Sequence, residues 1–212
     1  MVIYREVEIK KDGGYFVTSG LRITIDKELK VIVNQRTNEE YINVLKFVID
    51  NILDSQAEIK QEQTISYYCW VLKFVEFDQE SMLLYEVEAG GTGYINGIDY
   101  AIKVFTEQEL ECSKLKVSAI YSTFNQNIVI SKGVYEGLAV EGVRYPSPDH
   151  MSGWWLTTDL YDDNINSLMT VHFFHVAFKR PDILKYLALP FGCRFNINNV
   201  AGNAWFDKKV LE

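Results

Sequence analysis

The spacing of hydrophobic residues predicts one long helix in the first half of the chain. The residues on its apolar face are Tyr41, Val44, Leu45, Val48, Ile49, Ile52 and Leu53, which recur at three- and four-residue spacing. Thr37 and Glu40, at the start of this run, have the spacing of a capping box, in which each side chain accepts the backbone N–H of the other residue. We therefore expect an amphipathic helix that begins at this box.

Alternation of apolar and polar residues predicts strands before this helix. Leu21, Ile23 and Ile25 alternate with polar residues, a period of two that places one face of a strand in the core and the other in water. The apolar residues 31–33 predict a continuation of this strand after a turn, and residues 3–9 predict a further strand. The predicted strands and the long helix together indicate a protein that contains both β-strands and α-helices.

A hairpin and a second helix are predicted after the long helix. Residues 65–77 and 82–87 are rich in β-branched and aromatic side chains and are separated by a polar turn, which is the pattern of two antiparallel strands. A glycine-rich loop then leads to a helix from Ile98, with Asn96 as its N-cap and Asp99 in its first turn.

The second half of the chain is predicted to begin with strands and a long loop. Residues 118–122 and 128–131 have the composition of short strands. Residues 133–155 are punctuated by glycine and proline, so we expect them to form mainly loop and strand edge. Regular structure is expected to resume at Trp154.

Two helices and a closing hairpin are predicted near the C-terminal end. Hydrophobic residues recur with helical spacing over 165–178, and this helix must stop before Pro181 because proline disfavours the helical conformation of the preceding residue. Pro181 suits the first turn of a short helix over 182–189. Three segments predict the hairpin, namely the strands 191–197 and 204–210 and their connection 198–203.

These elements predict an α+β protein with mixed or antiparallel sheets and a few packed helices. The chain has 212 residues, a length that suits one large or two small domains. Residues 1–114 hold 12 Lys and Arg against 20 Asp and Glu, whereas residues 115–212 hold nine of each. We therefore predict an acidic α+β domain over residues 1–115 and a second α+β domain over residues 116–212.

The net charge of -8 favours some partners over others. Nucleic-acid binding relies on Lys and Arg that neutralise phosphates, so we expect no nucleic-acid partner. A basic protein fits better, because complementary charge speeds association. The chain has no apolar run of the length that spans a bilayer, and its first residues lack the apolar stretch of a signal peptide. We therefore expect a cytoplasmic protein that does not bind membranes.

Few residues suggest catalysis. His172 and His175 lie three positions apart in a segment that reads HFFH, without the glutamate base of an HExxH zinc helix. Cys69, Cys112 and Cys193 are far apart and form no CxxC pair. We therefore predict no catalytic residue, no metal site and no cofactor. A small metal-dependent hydrolase that uses His172, His175 and nearby aspartates stays open as an alternative.

A tryptophan pair followed by an acidic turn is the most distinctive feature of the chain. Tryptophan is common among the residues that dominate protein interfaces, because of its large area and its N–H donor. In adjacent positions of a strand the two indole rings must face opposite sides, so we expect one in the core and the other on the surface. The residues predicted to bind a protein partner are Trp154, Trp155, Asp159, Asp162 and Asp163.

Several short motifs follow one another over residues 127–195. The main ones are Ser152-Gly153-Trp154, the acidic turn that ends in Asn164, and Pro190 with Gly192 before Phe195. The others are Ile130-Ser131-Lys132, Arg144 with Pro146, and the segment 181–187. In order and spacing, these motifs resemble the bacterial immunity protein thirty-three family, formerly a domain of unknown function. The resemblance does not extend to residues 1–115.

The resemblance implies an antidote that is carried beside a toxin and that acts by binding the toxin. On this basis we expect a non-enzymatic immunity protein that protects the producing bacterium by neutralising a cognate protein toxin. Two alternatives stay open, which are the metal-dependent hydrolase and a structural or regulatory module without catalysis. An upstream gene for a large secreted toxin would favour the immunity protein over both alternatives.

Overall fold

Two mixed β-sheets and four α-helices make up the fold in the residues that this computed structural model describes, 1–55, 59–198 and 201–212. The predicted α+β class, with a few helices, is confirmed. The chain divides into two units, Met1–Lys103 and Val104–Glu212. This division falls inside a helix, earlier than the boundary predicted at residue 115, which stays a prediction.

The first unit holds an eight-stranded sheet in the spatial order β1-β2-β3-β4-β7-β6-β5, with β8 beside β7. Its strands are β1 (Val2–Tyr4), β2 (Val7–Asp12), β3 (Tyr15–Ser19), β4 (Glu28–Ile32), β5 (Thr64–Tyr67), β6 (Trp70–Glu76), β7 (Ser81–Val87) and β8 (Tyr94–Asn96). Its helices are α1 (Arg22–Ile25), α2 (Asn38–Ser55) and the beginning of α3 (Asp99–Leu115). β4 and β7 pair in parallel, which makes the sheet mixed.

Helix α2 confirms the predicted amphipathic helix and its capping box. The backbone N–H of Thr37 donates to the Glu40 carboxylate at 2.8 Å, and the backbone N–H of Glu40 donates to the Thr37 hydroxyl at 3.3 Å. The face from Tyr41 to Ile52 is buried. Local capping and hydrophobic spacing therefore agree with the tertiary packing here.

The strand predicted around Leu21 is wrong, because these residues form the short helix α1. Leu21 and Ile25, four positions apart, are buried, whereas Ile23 between them is 94% exposed. The Glu28 carboxylate accepts the backbone N–H groups of Gly20, Leu21 and Arg22. This carboxylate fixes the helical turn and overrides the apparent period of two.

Two predicted strands are each divided by residues with positive φ. Residues 3–9 form β1 and β2, because Arg5 and Glu6 adopt φ of 47° and 69° and turn the chain back. Residues 65–77 are divided in the same way at Tyr68, where φ is 53°. The predicted hairpin itself is confirmed as the antiparallel pair β6 and β7.

Helix α3 is confirmed, but its predicted N-cap is wrong. Asn96 lies in β8, and the buried Glu86 carboxylate caps the helix instead. This carboxylate accepts the backbone N–H groups of Tyr100 at 3.0 Å and Ala101 at 2.6 Å. Burial raises the pKa of Glu86 to about 7 despite these two hydrogen bonds.

The raised pKa of Glu86 predicts a pH-dependent stability. A carboxyl group whose pKa is higher in the folded state stabilises the fold most below its unfolded pKa, and this contribution is lost as the pH rises through about 7. Asp99 raises this pKa further and Arg36 lowers it. Relative to Glu86→Gln, the wild-type chain should therefore lose up to about 3 kcal/mol of unfolding free energy between pH 4.5 and 8.

Urea denaturation of both proteins across this pH range checks the prediction. Only the difference between the two proteins is informative, because other carboxylates also titrate. A difference in unfolding free energy that stays constant with pH would show that Glu86 does not titrate as stated.

The second unit holds a six-stranded sheet in the order β12-β9-β11-β10-β13-β14. Its strands are β9 (Asn127–Ile130), β10 (Val140–Arg144), β11 (Met151–Thr157), β12 (Met169–His172), β13 (Cys193–Ile197) and β14 (Gly202–Phe206). The larger part of α3, from Val104, helix α4 (Phe173–Lys179) and three 3-10 turns, Ile165–Ser167, Leu184–Tyr186 and Lys208–Leu211, complete it. β9 and β11 pair in parallel.

The loop predicted over residues 133–155 is only partly correct, because two central strands, β10 and most of β11, lie within it. Gly142 lies inside β10, where an added Cβ would come within 2.2 Å of the Phe195 ring. Gly153 lies inside β11 with φ of +81°. These glycines allow close packing within the sheet and do not mark a loop. The strand predicted over 118–122 is also absent, since these described residues are in no regular element.

The helix predicted over residues 165–178 is only partly correct. Its first part forms a 3-10 turn and the strand β12, and only α4 is an α-helix, which ends before Pro181 as predicted. β12 pairs with β9 along its whole length, so strand pairing overrides the helical spacing. The helix predicted over 182–189 is limited to the 3-10 turn Leu184–Tyr186.

The closing hairpin is confirmed as the antiparallel pair β13 and β14. Its second strand ends at Phe206, earlier than predicted, and Lys208–Leu211 forms a 3-10 turn. Residues 199 and 200 of the predicted connection lie outside the described residues.

Candidate protein-binding surface

The two adjacent tryptophans of β11 face opposite sides of the sheet, as predicted. Trp154 is fully buried, and its indole N–H donates to the backbone carbonyl of Leu187 at 3.0 Å. Trp155 is partly exposed on the other face. Because successive side chains of a strand point to opposite faces, Trp154 lies in the core and Trp155 lies at the surface.

Trp154 has a packing role, which corrects its place among the predicted binding residues. Its ring meets the Phe195 ring edge-on at 5.2 Å, and Phe195 stacks on Tyr186 at 4.8 Å. A partner cannot touch a side chain with no exposed area in this fold. Trp155 is therefore the member of the pair that remains a candidate for binding.

Arg144 lies in the same buried layer and organises the backbone around it. Its guanidinium donates to five uncharged acceptors, the carbonyl oxygens of Ile120, Ser152, Leu187 and Leu189 and the hydroxyl of Ser122. It also lies 5.0 Å from the Phe191 ring centroid and 5.7 Å from that of Trp154. Burial lowers the pKa of Arg144 to about 10, which leaves it charged at neutral pH.

The other motif residues also hold the fold. Ser152 is buried and its carbonyl accepts the Arg144 Nε–H, while a Cβ on Gly153 would lie 2.4 Å from the Tyr145 carbonyl oxygen. The N–H of Gly192 donates to the Arg144 carbonyl at 2.8 Å. The family motifs in β10 and β11 therefore meet around Arg144.

Asn164 and Pro190 stabilise local turns. The Asn164 side chain accepts the backbone N–H of Asn166 at 3.1 Å and so caps the 3-10 turn Ile165–Ser167. The Pro190 carbonyl accepts the N–H of Cys193 at the start of β13.

The outer side of the second sheet carries a row of side chains across five strands. Cross-strand pairing places Trp155 beside Val129 and Val143, Val143 beside Arg194, and Arg194 beside Trp205. Tyr145 is 41% exposed and meets the Trp155 ring edge-on at 5.8 Å. We name this group the open face; it consists of Val143, Tyr145, Trp155, Arg194 and Trp205, with the buried Val129, 6% exposed, at the edge of the row.

Arg194 is held in place on the open face by two carboxylates. Its guanidinium donates to Asp207 at 3.1 Å and to Glu141, and these contacts raise the pKa of Arg194. Its cationic carbon lies 5.9 Å from the Trp205 ring centroid. Its Nε–H is buried and has no acceptor in the part of the chain that the structure describes.

Three aspartates lie in the segment after β11, which we name the acidic loop, residues 159–168. Asp159, Asp162 and Asp163 are all exposed. Asp162 accepts the backbone N–H of Asn164 and the Ser167 hydroxyl, which lower its pKa. The loop is thus a folded turn that presents carboxylates to solvent.

The acidic loop also presents apolar side chains. Leu160 is 52% and Ile165 is 63% exposed, and Met169 directly after the loop is also exposed. The sequence has no Lys or Arg between Arg144 and Lys179. Exposed carboxylates and exposed apolar groups therefore occur together here without a nearby basic residue in the sequence.

His172 is the last residue of β12 and His175 lies in the first turn of α4; both are exposed, with ring centroids 6.4 Å apart. Phe174 contacts the His175 ring at 4.1 Å. Within the described residues, no group of three or more His, Cys, Asp or Glu side chains is placed to hold a metal ion. Over the same described ranges, no helix is both long and apolar enough to cross a membrane.

Comparison with known proteins identifies the second part of the chain. Residues 107–207, about half of the chain, match the model of the Imm33-like domain. This part of the chain belongs to that family, as the motif resemblance over residues 127–195 predicted. No curated protein and no solved structure gives a significant match.

The open face contains residues that the sequence interpretation did not select. Arg194 and Trp205 lie far along the chain from Trp155, and only the strand order brings them together. The one sequence signal is the alternation in β10, where Val140, Gly142 and Arg144 point inward. A strand at that position would have placed Val143 on the outer face.

Proposed function

We propose that this chain is an immunity protein that binds a cognate protein toxin and neutralises it without turnover. The observation that carries the proposal is the match of residues 107–207 to the Imm33-like domain. Such a protein would act in the cytoplasm of the bacterium that makes the toxin. The proposal includes a basic toxin as partner and excludes nucleic acid, membrane and cofactor.

The residues proposed to contact the toxin are Trp155 and the three exposed aspartates of the acidic loop. A partly exposed Trp offers a large contact area. Exposed carboxylates suit a basic partner, whose approach they would accelerate. The proposal assigns no catalytic residue, so protection must come from occupancy of the toxin.

A growth assay tests this proposal. The C-terminal domain of the protein encoded directly upstream of the gene, as the candidate toxin, is expressed in a heterologous bacterium, with this chain or with an unrelated acidic protein of similar size. We expect growth with this chain and arrest with the control. Arrest in both strains, with both proteins present in cell extracts, would contradict the proposed function.

A further inference from the structure

We propose that the toxin is held on a composite surface of the second unit, formed by the open face and the acidic loop, and that the surface it accepts is basic with an apolar centre. This inference rests on the proposed function and adds the contact surface, its charge and the role of each part. The open face holds the complex together, and the acidic loop accelerates its formation.

The open face has the composition of an interface centre. Trp, Tyr and Arg are the residues most enriched among those that dominate binding energies. Tyr145 contacts Trp155 edge-on, and Trp205 covers Arg194. These contacts already hold the aromatic and guanidinium groups in place, so binding costs little additional side-chain entropy.

The size of the open face explains why the acidic loop is needed. Five strands at about 4.8 Å spacing, and the seven residues of β11 at about 3.3 Å rise, give a face of at most about 24 by 23 Å. This area, about 550 Å², is less than the roughly 800 Å² per partner of a standard interface. The loop that continues from β11 supplies the nearest additional surface.

The two parts are continuous in space. Asp159 follows Trp155 by four residues, about 13 Å along the strand direction. An open cleft of about 290 Å³ lies at this junction, with Glu141, Thr157 and Asp159 in its lining. A Lys or Arg side chain of the partner would find carboxylate and hydroxyl acceptors there.

Charge complementarity defines the occupant. The composite surface and its ion pairs contain five carboxylates, Glu141, Asp159, Asp162, Asp163 and Asp207, against three cations, Arg194 and the exposed Lys208 and Lys209 next to Asp207. Two of these carboxylates already neutralise Arg194, so the exposed surplus is negative. A basic protein surface is therefore favoured over an acidic one, and the acidic first unit is not required for steering.

The variant Trp155→Ala tests the open face. The probe is the purified toxin domain encoded directly upstream, and association and dissociation are measured by stopped flow and surface plasmon resonance. We expect dissociation to accelerate about 30-fold or more, as for a dominant interface residue, with association changed less than about twofold. Tyr94→Ala, a partly exposed tyrosine of the first unit, is the matched control and should leave both rates unchanged.

The double variant Asp159→Asn with Asp163→Asn tests the acidic loop. Asp163 has φ of 59°, a conformation that Asn adopts readily, and Asp162 is left intact because it holds the turn. We expect association to slow several-fold at about 0.01 M ionic strength and to lose most of its salt dependence. The matched control is Asp12→Asn with Asp26→Asn, which changes the net charge equally on exposed residues of the first unit.

Each outcome separates the inference from the proposed function. Wild-type chain that does not bind the probe would contradict the proposed function, and the inference would fall with it. Wild-type binding with unchanged dissociation of Trp155→Ala would overturn the inference alone; if this variant does not fold, Tyr145→Ala replaces it. If the double variant of the acidic loop and its control in the first unit slow association equally, the proposed role of the loop is overturned. A wild-type dimer that Trp155→Ala dissociates in light scattering would identify the open face as an interface between copies.

Discussion

Replacing Arg144 by Met is expected to lower the unfolding free energy of the second unit by about 3–5 kcal/mol. The guanidinium satisfies four carbonyls and one hydroxyl in a buried layer. Met fills a similar volume but donates no hydrogen bond, so these acceptors lose a partner where water cannot replace it. The carbonyls come from three separate segments, and their arrangement depends on this one side chain.

Urea denaturation of the full chain measures the effect of Arg144→Met. The matched control is Arg194→Met, which removes a partly exposed guanidinium paired with Glu141 and Asp207. The control should cost less than about 1 kcal/mol, because both ion pairs are partly exposed to water and no backbone carbonyl of the described residues depends on this guanidinium. Equal losses in the two variants would show that the buried network is not what stabilises the unit.

The second large effect is expected at Trp154. Trp154→Ala removes a fully buried ring and the hydrogen bond to Leu187, and should cost about 3–5 kcal/mol of unfolding free energy. Trp155→Ala removes a ring from the open face, and should cost less than about 1.5 kcal/mol. Two identical substitutions at neighbouring positions thus have different consequences.

Thermal and urea unfolding of the two tryptophan variants check this contrast. The larger stability loss should occur in Trp154→Ala, and loss of binding by a folded chain should occur in Trp155→Ala. A larger stability loss for Trp155→Ala would mean that its ring is packed more tightly than its exposure indicates.

Local signals explain what could be predicted from the sequence. The capping box and hydrophobic spacing of α2 act within a few residues and agree with the tertiary structure. The segment Arg22–Ile25 was misinterpreted because the Glu28 carboxylate decides its conformation from outside it. Similarly, the residues of β12 have helical spacing but form a strand, because they pair with β9.

The candidate site depended on information that no single segment contains. Trp155 and the aspartates were found because they are adjacent in the sequence, whereas Arg194 and Trp205 join them only through strand order. The family motifs predicted the correct family, but most of their residues lie in the buried layer of the second unit. Arg144, Ser152 and Trp154 hold the buried layer, so these motif residues stabilise the fold and lie outside the proposed contact surface.

A titration of toxin activity with this chain tests the central claim most directly. The activity of the proposed toxin, tested as the C-terminal domain of the protein encoded directly upstream, is measured at fixed concentration while the chain is added in increasing amounts. Neutralisation by binding predicts that activity falls linearly and reaches its minimum at one equivalent, and that active toxin is recovered after denaturation and separation of the complex. Complete and irreversible loss of activity at a small fraction of one equivalent would show turnover by this chain and would contradict the account.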